Sequence, residues 1–351
     1  MSGIFHDAVF GRLFGDPEAM ALWSAEAQLE QYRKVEAALS KALAEVGLVP
    51  QSQGSRAAAY IRTAPIDRDQ LAEGCAKDGL PIPNFVAQLK ENAAELAGAI
   101  HTGSTSQDIM DTALSLTIHA TNDLLLARLG SVTDTLAYLD RRFGANPIMG
   151  RTRMQAALPI TVSDRIRSWR DPLLTQEASL IALRPHIERL QFGGAVGTRH
   201  AYGDKSDAMA ETMARELGLT NGPVWHTDRS GLVMFANQLS IVSGILGKIG
   251  QDITLMAQQG IDEISLSGGG GSSAMPHKSN PILAELLVTL ARYNASQMSA
   301  MHHSLVHEQE RSGAAWALEW MVLPVMAVAT ACALKVATDL CTKVTQMGQR
   351  E

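Results

Sequence analysis

Apolar residues recur along most of this chain at steps of three and four. Leu29, Tyr32, Val35, Leu39, Leu43 and Val46 form one such stripe. Asp16-Pro17-Glu18 reads as its start signal and Gly47 with Pro50 as its stop, so the spacing predicts one amphipathic helix. From Gln51 to Ile100 the pattern is shorter and broken by Pro65, Pro81 and Pro83, as in a small helical domain. Leu125, Leu129, Val132, Leu136, Leu139 and Phe143 predict a helix from 107 to 143, on the order of 55 Å long. A further helix runs from Thr161 towards Phe192, with Pro172 and Pro185 inside it. Another carries Leu232, Phe235, Leu239, Val242, Leu246, Ile249, Ile253 and Met256. Two more are predicted from Pro281 to His307 and from Ala314 to Lys343. No strand-like alternation is evident and no turn pair joins strands. The expected architecture is all-α: a small helical N-terminal domain over 1–104 and a bundle of long antiparallel helices over 105–351.

Composition narrows the function. The chain has 351 residues, 46% of them apolar, and a net charge of -6 with both signs interspersed. That gives no basic stripe for nucleic acid, and an anionic substrate would need local cations. Three irregularly spaced cysteines, Cys75, Cys332 and Cys341, suit neither a disulfide framework nor a cysteine metal site, and they point to a reducing, cytoplasmic setting. The N-terminus lacks the charge-then-apolar pattern of a signal peptide. The longest uncharged stretch, Trp320 to Leu334, is interrupted by Pro324 and falls short of the roughly 18 residues of a membrane span. His303 and His307 have metal-ligand spacing, but no acidic ligand set accompanies them, so no metal is expected.

Three stretches are chemically dense. Ser265 to Pro281 reads SLSGGGGSSAMPHKSNP, in which Gly268 to Gly271 suit a hinge or close-approach loop. Ser272 and Ser273 add hydroxyls, Lys278 a charge, and Asn280 a cap ahead of Pro281. The Lys278-Ser279 pair does not make a nucleotide loop, because His277 stands where glycine is needed. A plain Gly/Ser linker does not end in a capped helix. In the second stretch His101, Ser104, Thr105, Ser106 and Gln107 crowd donors onto a helix start. Thr105 and Ser106 serve there as simple caps or as ligands for a carboxylate. The third, Gly150 to Pro159, alternates Arg151, Thr152, Arg153 and Gln155 with less polar residues in a short extended segment, by itself a solvated connection. Gly193 to Thr198 reads as a flexible joint.

GSSAMPHKSNP, residues 271–281, resembles the signature loop of the fumarase/aspartase superfamily. The resemblance implies a loop that closes over an anionic di- or tricarboxylate, Ser272 as the group that handles the proton beside a carboxylate, and no cofactor. It also implies a homotetramer whose three dense regions come from different subunits to make each active site. A third, smaller helical domain usually follows the bundle; this sequence stops at Glu351, so that domain is expected to be either naturally lost or cut from the sequence. Succinyl-adduct lyases of the superfamily carry histidine in a G-x-T-H segment, where Arg153 stands here. Arginine binds a carboxylate and stays protonated, so a proton donor is exchanged for an anion clamp. A carboxylate nucleophile, already ionised at neutral pH, tolerates that exchange.

HTGSTSQDIMDTAL and QFGGAVGT look like those of the bacterial 3-carboxy-cis,cis-muconate lactonising enzymes, the cycloisomerases of protocatechuate breakdown. That branch implies Ser272 as proton carrier, with Lys278 and Asn280 stabilising an enediolate. Thr105, Ser106 and Arg153 would hold carboxylates, and His101 and Arg311 would touch substrate. The 3-substituent could be carboxylate or sulfonate. Two alternatives stand beside this: a carbon-nitrogen or carbon-oxygen lyase of the same fold that releases fumarate, and a catalytically silent helical protein.

Overall fold

The computed structural model describes residues 3–271 and 280–349. Two short helices, α1 (Gly11–Phe14) and α2 (Pro17–Leu22), open the chain. Asp16 caps α2 as its position suggests, its carboxylate accepting from the Ala19 N–H at 2.9 Å. The single helix expected from here to Val46 is interrupted at Trp23-Ser24. The Ser24 hydroxyl accepts from the Ala27 N–H and starts a new helix, α3 (Ala25–Glu45). A serine so placed offers the backbone a cap in competition with continued helix. Then come α4 (Gln51–Thr63), α5 (Arg68–Asp78) and α6 (Ile82–Glu91).

α7 (Ser106–Phe143) has 38 residues, about 57 Å at 1.5 Å per residue. It buries the whole predicted stripe from Leu125 to Phe143. After it the structure corrects the sequence reading, because the extended segment is a β-hairpin. β1 (Pro147–Thr152) pairs antiparallel with β2 (Gln155–Thr161). The two turn residues, Arg153 and Met154, have φ of +48° and +67°. Left-handed pairs match the twist of a two-residue hairpin, but glycine or asparagine normally supplies them. Most of β2 faces solvent, so no apolar alternation marked it.

α8 (Val162–Ile187) starts at a Thr161–Asp164 capping box and carries Pro172 and Pro185 inside it. α9 (Ser206–Leu217) precedes α10 (Ser230–Met256) and β3 (Ile264–Leu266). α11 (Ile282–His303), α12 (Ala314–Thr342) and β4 (Val344–Met347) complete the chain, with β3 and β4 antiparallel. α10 and α11 pack closely because Gly247 and Gly250 face α11. A Cβ on Gly250 would lie 2.4 Å from the Ala284 carbonyl oxygen. α10 and α12 are long and apolar enough to cross a membrane, but 61% and 72% of their apolar windows are buried inside the protein. They are core helices of the bundle.

Two apolar cores result. One gathers Val35, Leu39, Leu43, Ile61, Phe85 and Leu89 with Met209 and Met213 of α9. The other runs along α7 from Ile118 onward and along α8, α10, α11 and α12. Arg229, just before α10, bonds Asp111 near the start of α7 and Glu319 near the start of α12. At the opposite end, Glu263 accepts from the Met149 N–H after α7 and its carbonyl from the Gly348 N–H after α12. Those three helices therefore run together, and α8 and α11 run against them.

Candidate active site

At the end where α7 begins, Asp108 is fully buried and acts as a hub. Its carboxylate accepts from the backbone N–H groups of Thr105 (3.1 Å), Gly193 (2.7 Å) and Gly194 (2.9 Å), from the Ser104 hydroxyl, and bonds Nε2 of His226 at 3.0 Å. Gly194 has φ +69°, which lets two successive amides turn towards one carboxylate. The 193–198 segment is therefore pinned at its start. Thr105 and Ser106, half-buried, stand at the first turn of α7 beside this hub, and Thr105 is indeed its cap residue.

His101 and Arg311 reach the same end. Arg311 donates from Nε to the Gln107 side chain (2.9 Å) and from its terminal nitrogen to the Ala195 carbonyl (3.1 Å). Nδ1 of His101 lies 2.5 Å from Oε1 of Glu36, a residue of α3 with no exposed surface. Burial lowers the His101 pKa, but the adjacent Glu36 carboxylate outweighs it, and the net shift is upward.

Behind Gln107 lies a buried ionic cluster. The fully buried Arg229 guanidinium forks to Asp111 (2.6 and 3.0 Å) and to Glu319 (2.8 and 2.6 Å). Trp316 Nε1 and Gln107 Nε2 also donate to Asp111. Burial works against the Arg229 charge, but the two carboxylates raise its pKa overall.

At the far end, Arg153 lines a pocket of about 340 Å³ with Arg151, Arg165, Lys248, Asp252 and Glu263. Glu263 takes Arg151 at 2.7 Å and Asp252 takes Lys248. Among the described residues no carboxylate pairs with Arg153 or Arg165, so the pocket keeps an excess of positive charge. The strand that leads to the glycine-rich loop starts beside it at Ile264. Asn280 does not cap α11. Its N–H and C=O pair with Gly270 at 2.9 Å in both directions, and Pro281 takes the cap position. That bridge clasps the base of the loop. Ser272 and Lys278 lie outside the described residues.

One chain thus brings His101, Thr105, Ser106 and Arg311 together, and places Arg153 and Asn280 at the other end of α7. A cavity of about 370 Å³ between α3, α5, α7 and α12 is lined by Trp23, Tyr32, Leu114 and Trp320 and touches none of these residues. No group of three or more metal-binding side chains occurs among the described residues. Glu36, Asp108, Asp111, His226, Arg229 and Glu263 were not singled out from the sequence. Asp108 alone had a local signal, as the acid three residues after a threonine cap.

The sequence pattern of the lyase family matches residues 16–293. The chain is 34% identical over 348 residues to the 3-carboxy-cis,cis-muconate cycloisomerase of Pseudomonas aeruginosa, covering 97% of this chain and 76% of that one. Its structure is similar to the 3-carboxy-cis,cis-muconate lactonizing enzyme of Pseudomonas putida, with TM-score 0.91 and 34% identity over 97% of this chain and 78% of the other. It is also similar to a fumarate lyase from Mesorhizobium sp. BNC1, with TM-score 0.89 and 30% identity over 95% and 76%.

Proposed function

This chain belongs to the lyase family and has the fumarase/aspartase fold, and from that premise we propose that it is a cycloisomerase that lactonises 3-carboxy-cis,cis-muconate or a 3-substituted analogue. One substrate carboxylate adds across the conjugated diene to form a C–O bond. The electron pair moves to an enediolate at another carboxylate, and a proton is delivered to the adjacent carbon. Ser272 carries that proton, while Lys278 and Asn280 stabilise the enediolate. Thr105, Ser106 and Arg153 hold carboxylates, and His101 and Arg311 bind the substrate beside them.

The observation that carries this reading is Arg153. It sits at a left-handed turn, strained for a non-glycine residue, on the rim of a cationic pocket. No described carboxylate neutralises it, whereas its neighbour Arg151 is already taken by Glu263. A free guanidinium there suits an anionic substrate and cannot supply the proton that a nitrogen leaving group needs.

The separation of the two ends of α7 supports a site shared between subunits, in a homotetramer. Exposed apolar pairs seven residues apart, Leu174 with Ile181 on α8 and Met234 with Ile241 on α10, leave stripes for helices of other subunits. The three thiols are unpaired, in keeping with a cytoplasmic enzyme.

The test is an ultraviolet assay that follows loss of the conjugated diene, with 3-carboxymuconate and 3-sulfomuconate side by side. Turnover of either supports the proposal. Inertness on both, with fumarate released from a succinyl adduct, overturns it. Arg153→His is expected to raise KM roughly tenfold to a hundredfold, the ~1.5–3 kcal/mol of a hydrogen bond to a charged group. Unchanged kinetics would mean that Arg153 does not touch the substrate.

A further inference from the structure

We propose that Glu36 is a positioning residue that holds His101 as an imidazolium, with its Nε2–H presented to a substrate carboxylate. This rests on the active-site reading above and assigns a role to a residue on a helix that carries none of the sequence motifs.

α3 grips the segment before α7 through two buried side chains one helical turn apart. The Ser40 hydroxyl donates to the Ala99 carbonyl at 2.6 Å. Glu36 accepts from the His101 backbone N–H at 3.1 Å through Oε2, and its Oε1 lies 2.5 Å from the imidazole Nδ1. Both residues have no exposed surface. His101 has φ +56°, a left-handed backbone that is uncommon for a non-glycine residue. Both Glu36 oxygens are spent on that one residue, so the carboxylate fixes its backbone and its ring together.

The charge state follows from burial. A carboxylate with no solvent contact and only neutral partners is costly, and a protonated ring is the available countercharge. The Nδ1–Oε1 contact is close enough for a charge-assisted bond. Other ionisable groups facing the imidazole are Lys90 on α6, which opposes its charge, and Asp108 on α7, which supports it. Tyr202 packs over the same turn, donating to the Thr102 carbonyl, and burial raises its pKa, so it stays neutral. With Nδ1 turned to Glu36, Nε2 lies on the opposite edge of a ring whose side chain is 17% exposed. No described residue bonds Nε2. Its proton is thus left for a ligand at the start of α7, beside Thr105 and Ser106. In this role His101 contributes a fixed charge to binding, and proton delivery to carbon remains with Ser272.

Histidine-selective NMR titration of the substrate-free protein is the first test, with the His101 signal assigned by its loss in His101→Asn. The ring is expected to stay protonated above the ordinary histidine value of about 6.5, and in Glu36→Gln to lose its proton at or below that value. Adding propane-1,2,3-tricarboxylate should shift the Nε2 signal of the wild type. In steady-state assays Glu36→Gln should raise KM about tenfold near pH 7.5 and change kcat much less, with the deficit narrowing as the pH falls. A neutral His101 ring at pH 7 in the wild type overturns the proposal. So does a Glu36→Gln variant with unchanged KM. The titration needs neither turnover nor a folded Glu36 variant, so failure of the muconate assay alone would sink the proposed reaction and leave the Glu36–His101 pairing standing.

Discussion

Replacing Ser272 by alanine is expected to abolish measurable lactonisation while leaving the helical fold intact. The proposed reaction has no proton to take from its nucleophile, because a carboxylate arrives ionised. Its whole demand for acid-base catalysis falls on one carbon, and a single hydroxyl on the loop is assigned to meet it. Loss of one preorganised group of this kind costs at least about 10²–10³ in kcat. KM should move far less, since the residues proposed to hold the carboxylates, Thr105, Ser106, Arg153 and Arg311, are unchanged. The ultraviolet assay reads turnover, and circular dichroism confirms the fold. Near-normal turnover in Ser272→Ala would remove this residue from the chemistry.

The largest expected effect on stability lies elsewhere, at Arg229. Arg229→Met should destabilise the protein by about 3–5 kcal/mol, because it strands buried charge without a partner. Asp111 and Glu319 each spend both oxygens on that guanidinium, and neither reaches solvent. Denaturant unfolding measures the loss. Replacing Asp111 by Asn and Glu319 by Gln in the same chain should recover much of the loss. Wild-type stability in Arg229→Met alone would mean that the cluster contributes nothing net.

The long helices were legible because burial along one face writes itself into the sequence every three to four residues, as at Leu125 to Phe143. The signature loop likewise disclosed the family, which the similarity to muconate-lactonising enzymes bears out. Local competition was harder to see. Ser24 breaks a helix that its apolar neighbours would continue. The hairpin was hidden because Arg153 and Met154 take left-handed backbones without glycine or asparagine, and because its second strand has no buried face. Glu36 and His226 had no sequence signal at all. Their partners lie 65 and 118 positions away, and only the packed cores make them neighbours.

The length of α7 has a genetic consequence. In the proposed shared site, whose parts are assigned to opposite ends of a 38-residue helix, two different defects carried by different subunits can complement each other. A subunit damaged at Thr105 keeps a sound loop to lend, and one damaged at Ser272 keeps a sound helix start. Two dead alleles expressed together should therefore restore part of the activity, through mixed assemblies in which some sites draw only on undamaged pieces. Two alleles both altered at Ser272 should restore none.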